Sequence, residues 1–442
     1  MEAIDEIEAK SGSTTALKEA RAEALLCRAY NHFMLVNVFA LQYNAKTSST
    51  DLGVTYMLAP ETTVGVKYER NTVAECYDLI KKDLEEALPN VGDSYMTVPK
   101  YHFNPSAAYA FAARFYLYHE EWENAKKYAT LAIGSSPKTV LRDNSTVAAM
   151  TQDFDAISQH YASSSLNCNL LLTTSYSSLG LVFGPYSLYK RFSHAPYLST
   201  HEDALASNIW GSASLYTQVK NRATPPAYAI FWRYPYLFEY TDPVAGVGYR
   251  HTVIPAFTTD EALLNRAEAE ILLGEYDAAA ADMTIWMQNF VNTPLVLTPE
   301  LIQTFYNSVD YSRPLVSTIK KHINPSFLTV EEGSVQETML QCLLGFRRIE
   351  TLHMGMRWFD VKRYGITIYR RVLDTSGVPE KLTDSLTVDD NRRAIQIPKR
   401  VLDAGYTSNP RTSNTSTSSI TESIESVPET SSFGNIMEAL AE

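Results

Sequence analysis

The chain has 442 residues, of which 45% are hydrophobic and 20% are charged, so it carries enough apolar material for a large core. Length alone suggests two or three domains. The formal net charge of −12 repels phosphate backbones and argues against a nucleic-acid partner. The four cysteines are far apart and form no CxxC motif, so the sequence gives no support for a zinc site or a disulfide framework. We expect structural thiols, with Cys27 and Cys76 on buried helix faces.

The N-terminal region shows neither a membrane span nor a signal peptide. Its longest apolar stretch, residues 33–41, is interrupted by Asn37 and is too short to cross a bilayer. The first five residues are polar and contain no apolar region of the signal-peptide type. The sequence therefore predicts either a cytoplasmic protein or a chain whose natural beginning is missing.

The first 140 residues predict one helix after another. Residues 17–41 are apolar most of the way round, which indicates a buried helix. A second helix has an apolar stripe at steps of four and three, a capping box before it and a proline after it. These features are Val73, Tyr77, Ile80, Leu84 and Leu88 in the stripe, Thr72 with Glu75 in the box, and Pro89. Asn104 followed by Pro105 predicts the start of a third helix.

One pair of helices is predicted twice, at distant places in the chain. Residues 121–125 read EWENA and residues 275–279 read EYDAA, and each segment follows an alanine-containing helix. A large aromatic residue, an acid and an alanine at this spacing are typical of tetratricopeptide helix pairs. Because the copies lie much further apart than one repeat, we predict a mainly α, tetratricopeptide-like helical-repeat scaffold with a long irregular insertion.

The insertion, residues 149–257, is rich in Ser, Tyr, Pro and Gly and shows few helical stripes. Between Tyr176 and Tyr249, 16 of 74 residues are Phe, Tyr or Trp, against 11% in the whole chain. Aromatic residues alternate with others from Trp232 to Tyr240, which in a strand would place them on one face. Pro235 favours an edge strand or an irregular extended segment instead.

The aromatic insertion is the predicted ligand site. Aromatic faces stack on sugar rings and equally hold peptide side chains, while Tyr and Trp keep a polar tip for hydrogen bonding. We expect most of these rings to fill the core of the insertion and a few to line a site. The candidate ligand-binding residues are Trp210, Trp232, Tyr234, Tyr236, Tyr186 and Tyr189, with Tyr43 and Tyr56 added for their position after the first long helix.

No catalytic, metal or cofactor motif is present. The patterns HExxH, GxSxG, GxGxxG and the Walker loop are absent, and no His pairs with another His or Cys at metal-ligand spacing. The sequence therefore predicts no enzyme, no cofactor and no metal, and a two-carboxylate hydrolase is the weakest alternative. Residues 346–365 are interpreted as a salt-bridge network rather than a catalytic centre. The network residues are Arg347, Arg348, Glu350, Arg357, Asp360 and Arg363.

Several segments taken together resemble the SusD/RagB family of outer-membrane nutrient-binding lipoproteins. In chain order they are residues 21–40, the Asp-Leu-Gly loop at 51–54, residues 77–89, 107–118, 263–279 and 347–365, and the Ile397-Pro398 ending. The matches spread over about residues 17–411. The opening segment is closer to the RagB-like branch.

The chain also departs from the family pattern. Family members normally begin with a signal peptide and a lipobox cysteine, so this chain is expected to be N-terminally incomplete. Residues 353–356 stand where the C-terminal signature usually has an acid. Of the 22 residues from 411 to 432, 13 are Ser or Thr. This composition predicts a flexible tail, which is not typical of the family.

The resemblance implies a non-catalytic protein on the surface of the outer membrane of Bacteroidetes-type bacteria. It would capture oligosaccharides for polysaccharide utilisation and deliver them to a SusC-like, TonB-dependent transporter. Membrane contact would come only through an N-terminal lipid anchor that is not present in this chain. Peptide cargo and a tetratricopeptide-type scaffold for protein partners are the alternatives. The predicted single SusD-like unit, 1–442, divides into helical repeats at 17–140, the insertion at 149–257, a C-terminal helical part at 258–410 and the tail at 411–442.

Overall fold

The structure, a computed structural model, describes residues 1–63, 65–185, 194–216, 220–221 and 229–411. The helices in these ranges are α1 Glu2–Ser11, α2 Thr15–Phe39, α3 Val73–Ala87, α4 Pro105–Tyr118, α5 Trp122–Ile133, α6 Asn144–Ala149, α7 Phe154–Tyr161, α8 Leu179–Val182, α9 Pro196–Glu202, α10 Thr259–Leu273, α11 Tyr276–Phe290, α12 Pro299–Asn307, α13 Val335–Glu350, α14 Arg357–Arg363 and α15 Lys399–Asp403. The strands are β1 Asn169–Tyr176, β2 Lys220–Asn221, β3 Ala229–Ile230, β4 Leu237–Asp242, β5 Val247–Thr258, β6 Ile368–Leu373 and β7 Pro379–Leu386. The mainly α prediction is confirmed.

Helices α2 and α3 pack along each other, as their apolar patterns predict. Thr14 caps α2 by accepting the Leu17 N–H at 3.2 Å. Thr72 and Glu75 form the predicted capping box of α3, which pairs two helix donors that would otherwise lack partners. The stripe residues Val73, Tyr77, Ile80 and Leu84 are at most 1% exposed. Even with the 25-residue α2, no helix among the described residues is long and apolar enough to cross a membrane.

The two predicted helix pairs, α4 with α5 and α10 with α11, meet in space because α5 packs against α10. Asn104 caps α4 by accepting the Ala107 N–H at 3.1 Å, with proline at the first helical position. Ala125 and Ala279, which follow the aromatic residue of each pair, are fully buried. These small side chains let the neighbouring helix approach closely, and the result is one continuous helical core.

A buried ion network joins α10 to α13 and α14. Glu268 accepts hydrogen bonds from Arg363 at 2.8 Å and from the Tyr364 hydroxyl at 2.6 Å, and it also pairs with Arg347. Arg347 reaches Asp360 as well, at 3.2 Å. Burial alone would raise the pKa of Glu268, but the two guanidinium charges lower it overall. The predicted network is therefore confirmed for the residues nearest Glu268.

The other residues assigned to that network have different surroundings. Arg348 pairs with Glu202 on α9 at 2.7 Å, outside the segment that the sequence linked it to. The Glu350 carboxylate accepts the indole N–H of Trp286 at 3.0 Å. The Arg357 guanidinium makes no ion pair and no hydrogen bond with the described residues. Arg348 therefore joins two helices by a salt bridge, as predicted, whereas Glu350 and Arg357 form no ion pair among the described residues.

The insertion is not irregular throughout, because it contains the antiparallel sheet β1-β5-β4. Strand β5 runs straight into α10, where Thr258 accepts the Glu261 N–H at 3.2 Å and caps the helix. The half of β5 near α10 is buried on both faces. A strand buried on both faces loses the alternation of apolar and polar residues, which explains why the sequence pattern did not predict it.

The aromatic run from Trp232 to Tyr240 is a strand only in its second half. Strand β4 begins at Leu237 and lies at the edge of the sheet, in agreement with the interpretation of Pro235. Before it, the Arg233 guanidinium donates hydrogen bonds to the Glu350, Leu352 and Ile349 carbonyls at the end of α13. These three bonds fasten the irregular segment to the scaffold.

Three of the cysteines are buried as expected, namely Cys76, Cys168 and Cys342, but Cys27 is exposed. Helix α2 buries Leu25, Leu26 and Ala29 on its other sides, so the burial expected for Cys27 is wrong. The proposed division into units stays a prediction. The predicted tail, apart from Arg411, lies outside the described residues.

Candidate ligand-binding site

The far end of the inserted sheet projects beyond the core and exposes three tyrosines. Burial declines along β1 away from the scaffold, and β4 and the start of β5 are largely exposed. Tyr176 is 71% exposed, and Tyr240 and Tyr249 are each 57% exposed. Large aromatic side chains are normally buried when they serve only for packing. We call this region the sheet tip; it comprises Tyr176, Ser177, Ser178, Phe238, Tyr240, Gly248, Tyr249 and Arg250.

Strand register sorts these rings onto the two faces of the sheet. Tyr176 pairs with His251, and Tyr249 lies two residues before His251 on the same strand. Because side chains alternate with a period of two, Tyr176 and Tyr249 share one face, and their ring centroids are 5.3 Å apart. Phe238 and Tyr240 occupy the opposite face, with centroids 4.8 Å apart in an edge-to-face arrangement.

A groove of about 490 Å³ lies at this tip. The residues that line it are Tyr176, Ser177, Ser178, Phe238, Gly248, Tyr249 and Arg250. A Cβ at Gly248 would lie 2.1 Å from the Glu239 carbonyl oxygen and 2.7 Å from Phe238, so only glycine fits there. Arg250 forms no ion pair in the described part of the chain, which leaves its guanidinium free to donate hydrogen bonds to a ligand.

This lining combines stacking surfaces with hydrogen-bonding groups. Tyr176 and Tyr249 offer rings that a flat apolar face can cover. Arg250 and the Ser178 hydroxyl can bind polar groups at the edge of such a ligand. The Ser177 hydroxyl is already engaged, because it accepts the Leu179 N–H at 3.1 Å. None of the described lining residues is an Asp or Glu, so the groove provides no carboxylate pair for acid–base chemistry.

The residues predicted from the sequence lie elsewhere. Trp210 is 6% exposed and packs against Phe290 and Phe346 in the helical core. Tyr234 is buried, and its hydroxyl donates to the His353 carbonyl at 3.3 Å. Neither ring has a free face on which a ligand could stack.

The two tyrosines after the first long helix belong to the scaffold. The Tyr56 hydroxyl donates to Asp83 at 2.6 Å, and its ring stacks on His32 at 4.0 Å. Tyr43 is half-buried and packs against Tyr77, at 5.0 Å between ring centroids. Their position in the chain therefore does not bring them to the sheet tip.

Trp232 and Tyr236 are half-buried, and Tyr186 and Tyr189 lie outside the described residues. Trp232 borders a second, much smaller cavity of about 30 Å³, whose polar lining includes Arg142 and Glu350. That volume is enough for a water molecule but not for a sugar ring. The half-buried pair stays a ligand-binding prediction, separate from the sheet tip.

The sheet-tip tyrosines were missed because alternation alone did not reveal which rings are exposed. The chain does carry one signal, the turn-forming sequence Asp242-Pro243-Val244-Ala245-Gly246 directly after the aromatic run. This turn makes β4 and β5 a hairpin, and Gly246 adopts a φ of +68° in it. A hairpin that ends in exposed aromatic residues would have singled out Tyr240 and Tyr249.

Two further observations limit the chemistry of the site. No group of His, Cys, Asp and Glu residues in the described ranges is arranged to hold a metal ion. The fold itself is a helical-repeat scaffold that carries an inserted sheet with an exposed aromatic tip.

Comparison with known proteins assigns this fold. Residues 1–117 match the SusD-like family described as "Starch-binding associating with outer membrane". Among solved structures, a SusD superfamily protein from Bacteroides thetaiotaomicron is similar at 18% identity and a TM-score of 0.58, over 92% of this chain and 82% of the other. The N-terminal quarter of the chain therefore matches the SusD-like family model, and the chain shares the fold of SusD superfamily structures over most of its length.

Other similar structures belong to the same group. A SusD-like carbohydrate-binding protein from Bacteroides vulgatus is 16% identical with a TM-score of 0.53, covering 87% of this chain and 71% of the other. A laminarin-binding SusD-like protein is 15% identical with a TM-score of 0.51, covering 90% and 80%. No curated protein matches the sequence. The RagB-like leaning stays a prediction.

Proposed function

We propose that this protein captures a glycan without chemical conversion and that the sheet tip is part of the binding surface. The observation that carries the proposal is the exposure of Tyr176 and Tyr249 beside a groove of about 490 Å³. The C–H faces of pyranose rings are apolar, so an exposed aromatic ring binds them without a large loss of conformational entropy. The neighbouring Arg250 supplies donors for sugar hydroxyl groups.

The similar proteins support glycan over peptide cargo. The matched family is described as starch-binding, and two of the similar structures are described as carbohydrate-binding and laminarin-binding. Starch and laminarin are both glucose polymers, in which successive rings offer repeated apolar faces. Two tyrosines on one face of a sheet suit such a repeating ligand.

A capture role also agrees with the lining of the groove. A glycoside hydrolase normally requires two carboxylates that flank the scissile bond. Because the described lining of the groove contains neither Asp nor Glu, a glycan bound there would be held rather than cleaved.

We further propose that the protein acts at the outer membrane and passes its ligand to a SusC-like, TonB-dependent transporter. The family description, with its association with the outer membrane, supports this location. In this arrangement a lipid anchor holds the protein at the surface while the helical scaffold contacts the transporter.

Calorimetric titration tests the capture proposal. Purified protein is titrated with laminarin oligosaccharides, with starch-type oligosaccharides and with a mixed peptide pool. We expect saturable heat with at least one glycan, no product after long incubation, and strongly reduced binding in Tyr249→Ala. The matched control is Tyr101→Ala, since Tyr101 is also exposed but lies in the turn before α4, which contacts β1 at its Asn169 end and not at the sheet tip.

Three outcomes would contradict the proposal. Saturable heat with peptides alone would assign peptide cargo. No heat of binding with any of the pools would favour a scaffold that binds only protein partners. Equal losses in Tyr249→Ala and Tyr101→Ala would move the site away from the sheet tip.

A further inference from the structure

Three cationic side chains contact a single carboxylate, and a fourth lies near enough to interact with it electrostatically, where five segments of the chain meet. The carboxylate is Glu202, the last residue of α9. The cations are Lys321 in the loop before α13, Arg348 on α13, Arg357 at the start of α14, and Arg371 on β6. We call this group the Glu202 cluster. It lies outside the sheet tip and shares no residue with it.

Three of the cations contact the carboxylate directly. Arg348 and Lys321 approach the Oε2 atom of Glu202 at 2.7 and 3.1 Å, and Arg371 approaches the Oε1 atom at 3.5 Å. The three cationic side chains are only 11–14% exposed. A small ion can therefore reach the cluster from solvent, but its charges are poorly screened by water.

The fourth cation, Arg357, has no partner. Its guanidinium makes no hydrogen bond or ion pair with the described residues, and its Nη1 atom is enclosed without an acceptor. A guanidinium carries five N–H donors, and leaving them unpaired in a partly buried position is costly. The position is a natural place for an acceptor that the chain itself does not supply.

The nearby acids make no hydrogen bond with Arg357, although the Oδ2 atom of Asp360 is itself buried without a partner. Glu268 binds Arg347 and Arg363, and Asp360 binds Arg347. That part of the buried network contains two cations and two carboxylates and is balanced. The Glu202 cluster contains three guanidinium groups and Lys321 against one carboxylate, so positive charge is in excess even when Lys321, whose pKa is about 7, is neutral.

The excess charge affects the groups within the cluster. Burial, and then the charge of Arg348, lowers the pKa of Arg357 to about 10. Burial also lowers the pKa of Lys321 to about 7, with repulsion from Arg348 and Arg357 opposing the attraction of Glu202. An added anion would relieve the repulsion that both side chains experience.

We propose that the Glu202 cluster is a binding site for a small oxyanion, held mainly by the unpaired guanidinium of Arg357. Carboxylate, sulfate and phosphate groups share the planar or tetrahedral oxygens that guanidinium groups bind most strongly. A water molecule could fill the same space, but it would not balance the charge. The ion is either free in solution or the acidic group of a saccharide, and the site does not depend on glycan capture at the sheet tip.

The experiment titrates the full chain with inorganic sulfate, followed by calorimetry and thermal unfolding, at constant ionic strength set with chloride. We expect saturable binding and a melting temperature that rises with sulfate concentration. In Arg357→Gln the affinity for sulfate should fall by at least about tenfold, because a charge-assisted pair is lost. Without sulfate this variant should be as stable as the wild type or more stable, since an unpaired, partly buried charge has been removed.

Arg392→Gln is the matched control, because Arg392 is an exposed arginine that already pairs with Asp384 and Asp390 at 2.6 Å each. It should bind sulfate as the wild type does. Tyr249→Ala should also retain sulfate binding, which separates this site from the sheet tip. Parallel titrations with glucuronate and with neutral glucose identify the source of the anion. If glucuronate binds and glucose does not, the bound anion is the acidic group of a saccharide.

Two results would overturn the proposal. One is the absence of saturable sulfate, phosphate and glucuronate binding in the wild type at constant ionic strength. The other is an unchanged sulfate affinity in Arg357→Gln, which would locate the bound ion elsewhere.

Discussion

The helical scaffold and the sheet tip use the same residue type, tyrosine, in opposite ways. In the scaffold, Tyr77 is 1% exposed, and burial raises its pKa well above the usual value while its hydroxyl donates to Asn37 at 3.1 Å. At the sheet tip, Tyr176 and Tyr249 contact each other and are open to solvent. The comparison teaches that aromatic content does not locate a binding surface. The exposed rings lie where a strand leaves the core, which is where we propose that the ligand binds.

The largest change in unfolding free energy is expected in the scaffold, at Glu268. Glu268→Gln removes the charge shared by Arg347 and Arg363 and leaves Asp360 as their remaining carboxylate. Removing one partner of a buried ion pair costs about 3–5 kcal/mol of unfolding free energy. Urea denaturation of the variant and the wild type at neutral pH measures this loss.

The control for this substitution is Glu380→Gln, which changes an exposed glutamate on β7. It should change the unfolding free energy by less than about 0.5 kcal/mol. A similarly small loss in Glu268→Gln would show that the buried network adds little to the stability of the scaffold.

The next effect separates packing from binding at Trp210. Trp210→Ala removes a ring that packs against Phe290 and Phe346, so we expect a loss of about 3 kcal/mol in unfolding free energy. Glycan affinity, measured on the folded variant, should remain within about twofold of the wild type. A stable variant with weakened glycan binding would return Trp210 to the ligand site that the sequence suggested.

A smaller effect, on the pH dependence of stability, is expected at Asp260. This residue lies at the start of α10, where strand β5 of the inserted sheet joins the helical scaffold. Burial, and then the charge of Glu350, raises the pKa of this carboxyl group to about 7, from 3.8. A raised folded-state pKa stabilises the protein at acidic pH, and this contribution is lost as the pH rises from about 4 through about 7. Asp260→Asn keeps an oxygen that can accept the Arg142 backbone N–H but removes the titration.

Urea denaturation between pH 4.5 and pH 8 tests this dependence. The unfolding free energy of the wild type should decline more steeply with pH than that of Asp260→Asn. Glu270, whose pKa burial also raises to about 7, contributes a slope of the same sign, so the difference between the two proteins is the informative quantity. Asp155→Asn, at an exposed site on α7, should leave the slope unchanged. Parallel curves for wild type and Asp260→Asn would contradict the assignment.

The helices could be predicted because their determinants are local. Thr72, Glu75 and Asn104 cap helices through hydrogen bonds to residues three positions away. The stripe on α3 repeats with the helical period, and this pattern needs no knowledge of the partner helix. The family resemblance rested on the same segments, which explains why the fold could be recognised from the sequence.

The sheet tip and the Glu202 cluster could not be predicted, because both depend on contacts between distant residues. Tyr176 and Tyr249 become neighbours only through the register of β1 with β5. Glu202 and Arg348 are 146 positions apart in the chain. A single sequence contains no information on these pairings. Of the predicted site residues, Trp210, Tyr234 and Tyr56 lie in the core, and the role of the others stays a prediction.

The smallest predicted effect distinguishes the two faces of the sheet tip. Tyr249 lines the groove. Tyr240 does not line it and packs, on the opposite face of the sheet, against Phe238, whose ring also borders the groove. If the groove holds the glycan, Tyr249→Ala should weaken affinity about tenfold, since one stacked ring contributes roughly 1–1.5 kcal/mol, while Tyr240→Ala stays within about twofold. Calorimetry with the glycan that binds the wild type measures both. Equal losses would mean that the ligand wraps around the hairpin and contacts both tyrosines, and a loss confined to Tyr240→Ala would place the ligand against Tyr240, outside the groove.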